Sequence, residues 1–469
     1  MYRRNLLIAL GLIGIATSAA AFGGFDFGLF RDHQLEAHSV RLFGVVRAVP
    51  ASSTESVSAS EADSDPRTLV TLAKGLRAHV VTAQPNAGPD IDMMALWPND
   101  SNPTHLIACN EQGPAEPGLQ RISLASGVVE TILTGTDSCD PVRRTAWGSI
   151  IFGEEVVTGW LLEIINPLAT TNVRFDRNTG VFSGGTGAGN IATRSAVGRL
   201  AFEALALLPN GVLYYADENR PSNGNPGGAY FKFIPSSPWQ GGPPITSLSQ
   251  SPLTAGSIYG LRLGKRSGNT DYGQGANTGL GTWVPVPIAS IGSSLRAATA
   301  TLKLTGYYRP EDGEVDFLSL AAGLVRFCAN NTGNEGTDRM WGETICVTDG
   351  SPAQATANTA TPEVQYLVIG SPDFAMMDNL AQQPGRGNWI VHEDGDGPAV
   401  GRNNDLWSCL EDGDDADSLS DGCIRIATLN DLTAEWTGGV FDRWGDHFYV
   451  SIQHNVTGHG VVLDITGWR

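Results

Sequence analysis

The sequence predicts an all-β protein, a six-bladed β-propeller with long loop insertions. Short segments rich in Val, Ile, Tyr, Phe and Trp recur along the chain, each behind a turn that contains Gly, Asn or Asp, as in Gly211–Asp217 and Asp446–Ser451. Long helical periodicity is nearly absent from the 469 residues. A propeller closes a long all-β chain radially without long exposed sheet edges, so it fits both observations best.

The first residues have the pattern of an export signal. Arg3-Arg4 precede an apolar run, Leu6–Ile15, and small residues that end at Ala21. The apolar run is too short for a membrane-spanning helix, which takes about 20 residues. We therefore expect residues 1–21 to be a signal peptide, by the twin-arginine or the ordinary route. Residues 22–469 would then form a single propeller domain, exported to the periplasm or secreted and not inserted in a membrane.

The six cysteines point to disulfides, because an even count is typical of exported proteins. Six cysteines allow 15 pairings. Cys328 with Cys346, and Cys409 with Cys423, lie close enough in sequence for each pair to close a short loop. The chain has no CxxC or other zinc-type spacing.

The charge balance excludes one large class of partner. The chain has 30 basic and 49 acidic residues and a formal net charge of −19. Because nucleic-acid binding depends on clustered Lys and Arg that neutralise phosphates, we do not expect nucleic acid as a partner. A small-molecule substrate and a monomeric state are the expectations instead.

The catalytic motifs that are easiest to recognise are absent from the sequence: there is no GxSxG elbow, no Walker loop and no HExxH. Short polar clusters instead stand at expected strand ends. They are Asn110-Glu111, Glu154-Glu155, Glu203, Asp217-Glu218, Arg309 to Asp312, Asp378-Asn379 and Gln453-His454.

Taken in order, five blocks of sequence resemble the PhoX-type alkaline phosphatases, a family of exported six-bladed propellers. The blocks run from Cys139 to Glu155, Gly198 to Ala204, Arg309 to Asp312, Asp378 to Ile390 and Thr437 to His454. They cover most of the mature chain. Three residues depart from the family's pattern: Gly153 stands where many relatives have a cysteine, Phe202 where a His is frequent, and Met377 where a Pro is usual before Asp-Asn-Leu.

The resemblance implies a metal-dependent phosphatase whose tunnel holds two bridged ferric ions and several calcium ions. It implies Cys139, Glu203 and Glu311 as iron ligands, with Cys109 left as the unpaired cysteine. It further implies Glu154, Asp378, Glu218 and Glu111 as calcium or bridging ligands, and Arg309 as the phosphate clamp. Thiolate and carboxylate suit ferric iron, and carboxylate oxygens suit calcium.

Two other functions are compatible with inward-facing carboxylates on a propeller. One is a calcium-dependent hydrolase of the lactonase or esterase class, which would not depend on Cys139 or Arg309. The other is a calcium-stabilised propeller that binds a ligand without catalysis.

Overall fold

The structure, a computed structural model, describes residues 27–222, 225–264, 277–288, 294–334, 340–395, 397–413 and 417–469. The predicted signal peptide lies outside these residues. None of the described helices is long and apolar enough to cross a membrane.

The N-terminal segment supplies three short helices and two strands that complete blades formed later in the chain. The helices are α1 (Phe27–Ala37), α2 (Ser39–Phe43) and α3 (Ala59–Ser64), and the strands are β1 (Val70–Leu72) and β2 (Arg77–Thr82). The remaining helices, all short and located between strands, are α4 (Arg296–Thr301), α5 (Phe317–Ala321), α6 (Pro352–Ala357) and α7 (Gly397–Val400). Six 3-10 turns cover Pro66–Leu69, Pro167–Ala169, Ala188–Asn190, Ser195–Val197, Leu248–Gln250 and Pro252–Thr254.

The first three blades are mainly antiparallel sheets, with one parallel pairing in blade 1, and blades 1 and 2 include strands that are not consecutive in the chain. Blade 1 contains β3 (Ile91–Trp97), β4 (His105–Asn110), β5 (Pro117–Ser123) and β6 (Val129–Thr134), extended by β9 (Val173–Asp176) and β10 (Val181–Ser183). Blade 2 contains β7 (Cys139–Arg144), β8 (Ile150–Ile164) and β11 (Ile191–Thr193). Blade 3 contains β12 (Arg199–Leu207), β13 (Leu213–Asp217), β14 (Tyr230–Pro235), β15 (Gly256–Leu263) and β16 (Gly279–Pro285).

The last three blades follow the same plan and take up the N-terminal strands. Blade 4 contains β17 (Pro310–Val315), β18 (Arg326–Asn331), β19 (Glu343–Thr348) and β20 (Glu363–Ile369). Blade 5 contains β21 (Met377–Gln382), β22 (Trp389–Glu393), β23 (Asp405–Cys409), β24 (Cys423–Leu429) and β1. Blade 6 contains β25 (Glu435–Phe441), β26 (Phe448–Gln453), β27 (Val461–Thr466) and β2. The predicted six-bladed propeller is confirmed.

The six innermost strands form a closed ring around a central channel. They are β3, β7, β12, β17, β21 and β25, and each contacts the next, with β25 returning to β3. Pairing of β2 with β27 and of β1 with β24 ties the N-terminal segment to the last two blades. Radial closure leaves only short, protected edges.

The apolar core is divided among the six interfaces between neighbouring blades. Successive side chains of a strand point to opposite faces of its sheet, so one strand contributes side chains to two interfaces. On β4, Leu106 packs with Val462 between blades 1 and 6, whereas Ile107 packs with Phe152 between blades 1 and 2. The blades are therefore held together face to face by apolar side chains.

Three disulfides are present. Cys328–Cys346 and Cys409–Cys423 each join neighbouring strands of one blade, as the sequence predicted. The third joins Cys109 on β4 to Cys139 on β7, and so links blade 1 to blade 2.

Candidate metal and phosphate site

Each inner strand carries an acidic residue, at the first or second position in five strands and in the middle of the other, and the six side chains come together at one end of the channel. We call this set the carboxylate ring. It consists of Asp92, Asp140, Glu203, Glu311, Asp378 and Glu435. In chain order the six residues lie on β3, β7, β12, β17, β21 and β25. Propeller geometry brings them together because every inner strand begins at the same end of the channel.

The second strand of a blade runs antiparallel to the first, so it brings further groups to the same end. Glu111 directly follows β4, Glu155 lies within β8, and Glu218 directly follows β13. All three interact electrostatically with members of the carboxylate ring. In blade 4 the corresponding group is Thr332, whose hydroxyl donates to Glu311 Oε1 at 2.9 Å.

The backbone is irregular at the carboxylate ring. All six pairings between the first and second strand of a blade contain a register shift. Ser138, Ala204, Arg309 and Met376, each next to or two residues from a ring carboxylate, have φ between 47° and 56°, a left-handed conformation that non-glycine residues seldom adopt. Bulges and such residues re-aim side chains at functional sites. Here they turn acidic side chains towards the channel axis.

Burial makes the carboxylate ring electrostatically costly. Removal from water raises the pKa of Asp92, Asp140, Glu203 and Asp378 well above its usual range, and the neighbouring carboxylates raise it further. The same burial raises the pKa of Glu311 to about 8, although Arg309 opposes the shift. Such a cluster can be fully charged near neutral pH only if cations neutralise it.

Two sets of three carboxylates are close enough to hold a cation each. In Glu111, Asp140 and Glu155, and again in Glu155, Glu203 and Glu311, one oxygen from each residue lies within 4.8 Å of the others. The two sets share Glu155, so two cations bound there would be neighbours. Asp140 Oδ1 and Glu203 Oε1 are buried, and no amide, hydroxyl or guanidinium of the described residues donates to them. The donor set is made of oxygen and fits hard cations such as calcium.

Arg309 is the cation that reaches into the carboxylate ring. Its Nε donates to Glu218 Oε1 at 2.8 Å, and its Nη2 lies 3.2 Å from Glu311 Oε1 and 4.0 Å from Asp394 Oδ2. The carboxylates around it raise the pKa of the guanidinium. The side chain is 17% exposed, so its charge is largely shielded from bulk water. Arg309, which the resemblance implied as the phosphate clamp, thus lies beside Glu218 and Glu311.

His454 forms the rim of the site above blade 6. Its Nδ1 lies 3.0 Å from Asp90 Oδ1 and its Nε2 lies 3.1 Å from Glu435 Oε1. Hydrogen bonds to these two carboxylates raise the pKa of His454 to about 10, so the imidazole is protonated at neutral pH. Next to it, Gln453 donates to Glu111 Oε2 at 2.8 Å.

The prediction that Cys139 supplies a thiolate ligand to iron is wrong for this structure, and so is the prediction that Cys109 is unpaired. The two sulfur atoms are bonded to each other. A metal ligand has to be the thiolate, and a sulfur in a disulfide carries no such charge. Acidic residues next to this disulfide do face the site. Asp140 directly follows Cys139, and Glu111 lies two residues after Cys109.

The prediction that Glu154 is a ligand is also wrong, by one residue. Strand alternation turns Glu154 away from the channel, where it accepts hydrogen bonds from Arg177 Nε at 2.7 Å and from the N–H groups of Asp137 and Trp160. Its neighbour Glu155 faces the channel and belongs to both cation-compatible sets. The pair was recognised in the sequence, but which member faced inward depended on the register of β8.

Sequence reasoning missed three members of the carboxylate ring, Asp92, Asp140 and Glu435. Asp92 and Asp140 are the second residues of their strands and Glu435 is the first of its strand. The signal that could have identified them is positional: an acidic residue at the start of the first strand of each blade, matched by a polar group at the end of the next strand. Glu311 and Asp378, which were predicted, obey the same rule, whereas the predicted Glu203 is the fifth of the nine residues of β12.

Two of the departures from the family pattern, Gly153 and Phe202, are neighbours in the structure. A Cβ added to Gly153 would lie 2.7 Å from the Cβ of Phe202 and 3.0 Å from Pro141 Cγ. A side chain at position 153 would therefore require its neighbours to move.

Comparison with solved structures identifies the same architecture. PhoX of Pseudomonas fluorescens, in complex with vanadate as a transition-state analogue, matches with a TM-score of 0.60 over 89% of this chain and 97% of PhoX, at 15% sequence identity. PQQ-bound aldose sugar dehydrogenase from Streptomyces coelicolor matches at a TM-score of 0.41 and 11% identity, covering 84% of this chain and 99% of that one. The PQQ domain of pyranose dehydrogenase from Coprinopsis cinerea matches at 0.37 and 12%, covering 86% and 98%.

No model of a known protein family matches the chain, and neither does any curated protein sequence. At 15% identity the likeness to PhoX extends to the β-propeller fold. The fold is therefore established by the comparison, and the activity has to be argued from the site.

Proposed function

We propose that the protein is an exported metal-dependent phosphatase that releases phosphate from organic phosphate monoesters, and from diesters, at the carboxylate ring. The observation that carries the proposal is Arg309 in the middle of buried carboxylates at the mouth of the channel. Carboxylates of this density call for bound cations, and an arginine among them supplies donors for an anionic substrate. Phosphate esters need both.

The cation-compatible sets around Glu155 suggest where metal ions would bind. Cations held there would polarise the phosphoryl oxygens and lower the pKa of water at the site. The oxygen donors suit calcium and also the carboxylate part of a ferric site, while the thiolate that the PhoX resemblance implied is not available. We therefore propose two ferric ions and several calcium ions on the basis of the resemblance. The oxygen donors of the site support calcium independently of it.

Arg309 would bind and orient the substrate. Glu218 and Glu311 hold its Nε and Nη2, which fixes the plane of the guanidinium without exhausting its five N–H donors. Paired N–H groups match two oxygens of a phosphate, which favours arginine over lysine at such a position. The fixed donors would stabilise the charge that accumulates on the equatorial oxygens during phosphoryl transfer.

A second candidate function is a calcium-dependent hydrolase of the lactonase or esterase class. The Cys109–Cys139 disulfide favours it, because such an enzyme would use the inward carboxylates without a thiolate ligand. It would make no specific use of Arg309.

The deciding experiment compares Arg309→Lys with Arg326→Lys. Arg326 pairs with Asp316 and Glu411, both at 2.8 Å, away from the carboxylate ring, and so serves as a matched buried arginine. With p-nitrophenyl phosphate at alkaline pH, we expect Arg309→Lys to lower kcat/KM by about 100-fold or more, while Arg326→Lys stays within a few-fold of wild type. Chelator should abolish turnover, and calcium should restore it alone or with iron.

Two results would count against the phosphatase. Lactone hydrolysis that survives Arg309→Lys would favour the second candidate. Absence of turnover on every phosphoester and lactone in metal-replete protein would favour a binding protein. We further propose that the protein acts as a monomer on a small-molecule substrate without nucleic acid, consistent with its net charge of −19.

A further inference from the structure

The central channel has a second chamber at the end opposite the carboxylate ring. It is a cavity of about 410 Å³. All six inner strands line it with residues near their last ends, including Leu96, Arg144, Leu207, Glu314, Gln382 and Val440. Its volume lies within the range of small-molecule pockets, roughly 300–1,000 Å³.

An ion pair lies between this cavity and the carboxylate ring. Arg143 Nη2 donates to Asp312 Oδ1 at 2.6 Å and to the carbonyl of Gly313 at 3.1 Å. Asp312 is fully buried, and its second oxygen accepts the N–H of Leu380 at 3.3 Å. Because Arg143 lies on β7 and Asp312 on β17, the pair reaches past the intervening inner strand β12. The lining of this far cavity includes no member of the carboxylate ring and no member of the two cation-compatible sets.

The charges of the cavity nearly cancel, and the excess is a single negative charge. The lining contains three guanidinium groups, of Arg143, Arg144 and Arg443, and three carboxylates, of Asp100, Glu314 and Asp442. Arg144 is paired with Asp100 at 2.5 Å, and Arg143 is paired with Asp312 behind the lining. Asp312 therefore adds the uncompensated charge. Neither Glu314 nor Asp442 has an ion pair of its own among the described residues, and Asp442 Oδ1 accepts the N–H groups of Asp446 and His447 at 2.9 and 3.2 Å.

One carboxylate oxygen of Glu314 is available to accept a hydrogen bond from a ligand. Its Oε2 accepts the N–H of Gln382 at 2.8 Å, while no described residue donates to Oε1. Burial raises the pKa of Glu314 to about 7, with Arg143 opposing the shift, so the group is mainly ionised at pH 8. The surrounding wall is apolar and includes Leu96, Leu205, Leu207, Val315 and Phe441.

We propose that this far cavity binds a small monocationic amine, whose ammonium group donates to Glu314 and whose apolar body packs against the Leu, Val and Phe wall. An ammonium group balances the excess charge and satisfies Oε1 in one contact. An anion at Glu314 fits poorly, because the nearby guanidinium groups of Arg143 and Arg144 already have carboxylate partners. Arg443, the third guanidinium of the lining, has no ion pair among the described residues, so the anionic probe below is a necessary part of the test. The chain's net charge of −19 also favours the approach of cations over anions.

The test uses three probes of one skeleton at pH 8: 2-phenylethylamine, 2-phenylethanol and phenylacetate. Isothermal titration calorimetry on the metal-replete full-length protein should show one saturable site for the amine, at least ten-fold tighter than for the alcohol or the anion. Glu314→Gln should weaken amine binding at least ten-fold. Glu343→Gln is the matched control, because burial also raises the pKa of Glu343 to about 7 and Asn331 hydrogen-bonds it away from this cavity. It should leave binding within two-fold of wild type.

A second variant tests the location independently of the charge. Leu207→Trp fills the cavity from β12 and should also abolish amine binding, whereas phosphatase assays on the same preparation report whether the carboxylate ring is intact. Tighter binding of phenylacetate than of the amine would overturn the proposal. Amine binding that is unaffected by both Glu314→Gln and Leu207→Trp would overturn it as well.

Discussion

Removal of the Cys109–Cys139 disulfide should weaken metal binding far more than removal of either other disulfide. It is the one that joins two blades, and its half-cystines flank Glu111 and Asp140, two members of one cation-compatible set. Without it, β4 and β7 can separate, and each metal ligand loses its fixed partner. We expect Cys109→Ser/Cys139→Ser to lower calcium affinity at least ten-fold.

The structure supplies a control of nearly equal stability. The three disulfides span 30, 18 and 14 residues, and chain entropy then gives stabilisations of about 3.6, 3.2 and 3.0 kcal/mol. The double Ser variant of Cys328 and Cys346 should therefore lose about as much thermal stability as that of Cys109 and Cys139. Any large difference in metal affinity between them comes from positioning and not from general destabilisation.

The assay combines calcium titration calorimetry with metal analysis. Both are applied to the oxidised protein, to the protein reduced with a dithiol and to the two double variants. Equal calcium affinities in the two double variants would refute the positioning argument. A gain of iron on reduction, lost again in Cys139→Ser, would show instead that the Cys139 thiolate is a ligand.

Three further predictions concern other parts of the molecule. Glu155→Gln should weaken calcium binding at least ten-fold, because Glu155 belongs to both cation-compatible sets. Glu154→Gln should leave calcium affinity unchanged and should lower the free energy of unfolding by about 2 kcal/mol, because charge-assisted hydrogen bonds are lost. The reverse pattern in calorimetry would contradict the register of β8. Burial raises the Glu311 pKa from 4.5 to about 8, so the folded protein, freed of metal by chelator, keeps a proton that the unfolded chain releases. Its melting temperature should therefore fall as the pH rises from 4.5 to 8. A melting temperature that rises over this range in chelator would be inconsistent with buried, unneutralised acids. Lys232 is completely buried and lies 2.6 Å from Asp349, so Lys232→Met should cost about 3–5 kcal/mol in denaturant unfolding, and a neutral result would mean that the pair is dispensable.

The fold class could be predicted from sequence alone. Short aromatic and β-branched segments behind Gly-containing turns specify strands locally, because a left-handed turn residue and a β-favouring segment act within a few residues. The same patterns put Glu203, Glu311 and Asp378 in polar clusters at expected strand ends, whereas their role as ligands came from the family resemblance. Short separation in sequence made a bond between Cys328 and Cys346 one of the possible pairings.

Which side chains face the channel, and which sulfur atoms meet, depends on the folded structure. A one-residue change of register moves a side chain to the opposite face of its sheet, and this is why Glu155 and not Glu154 lies at the site. Cys109 pairs with Cys139 because the packing of blade 2 on blade 1 brings β4 and β7 together across 30 residues. Convergence of Asp92 and Glu435, 343 positions apart, likewise exists only once the six blades have closed.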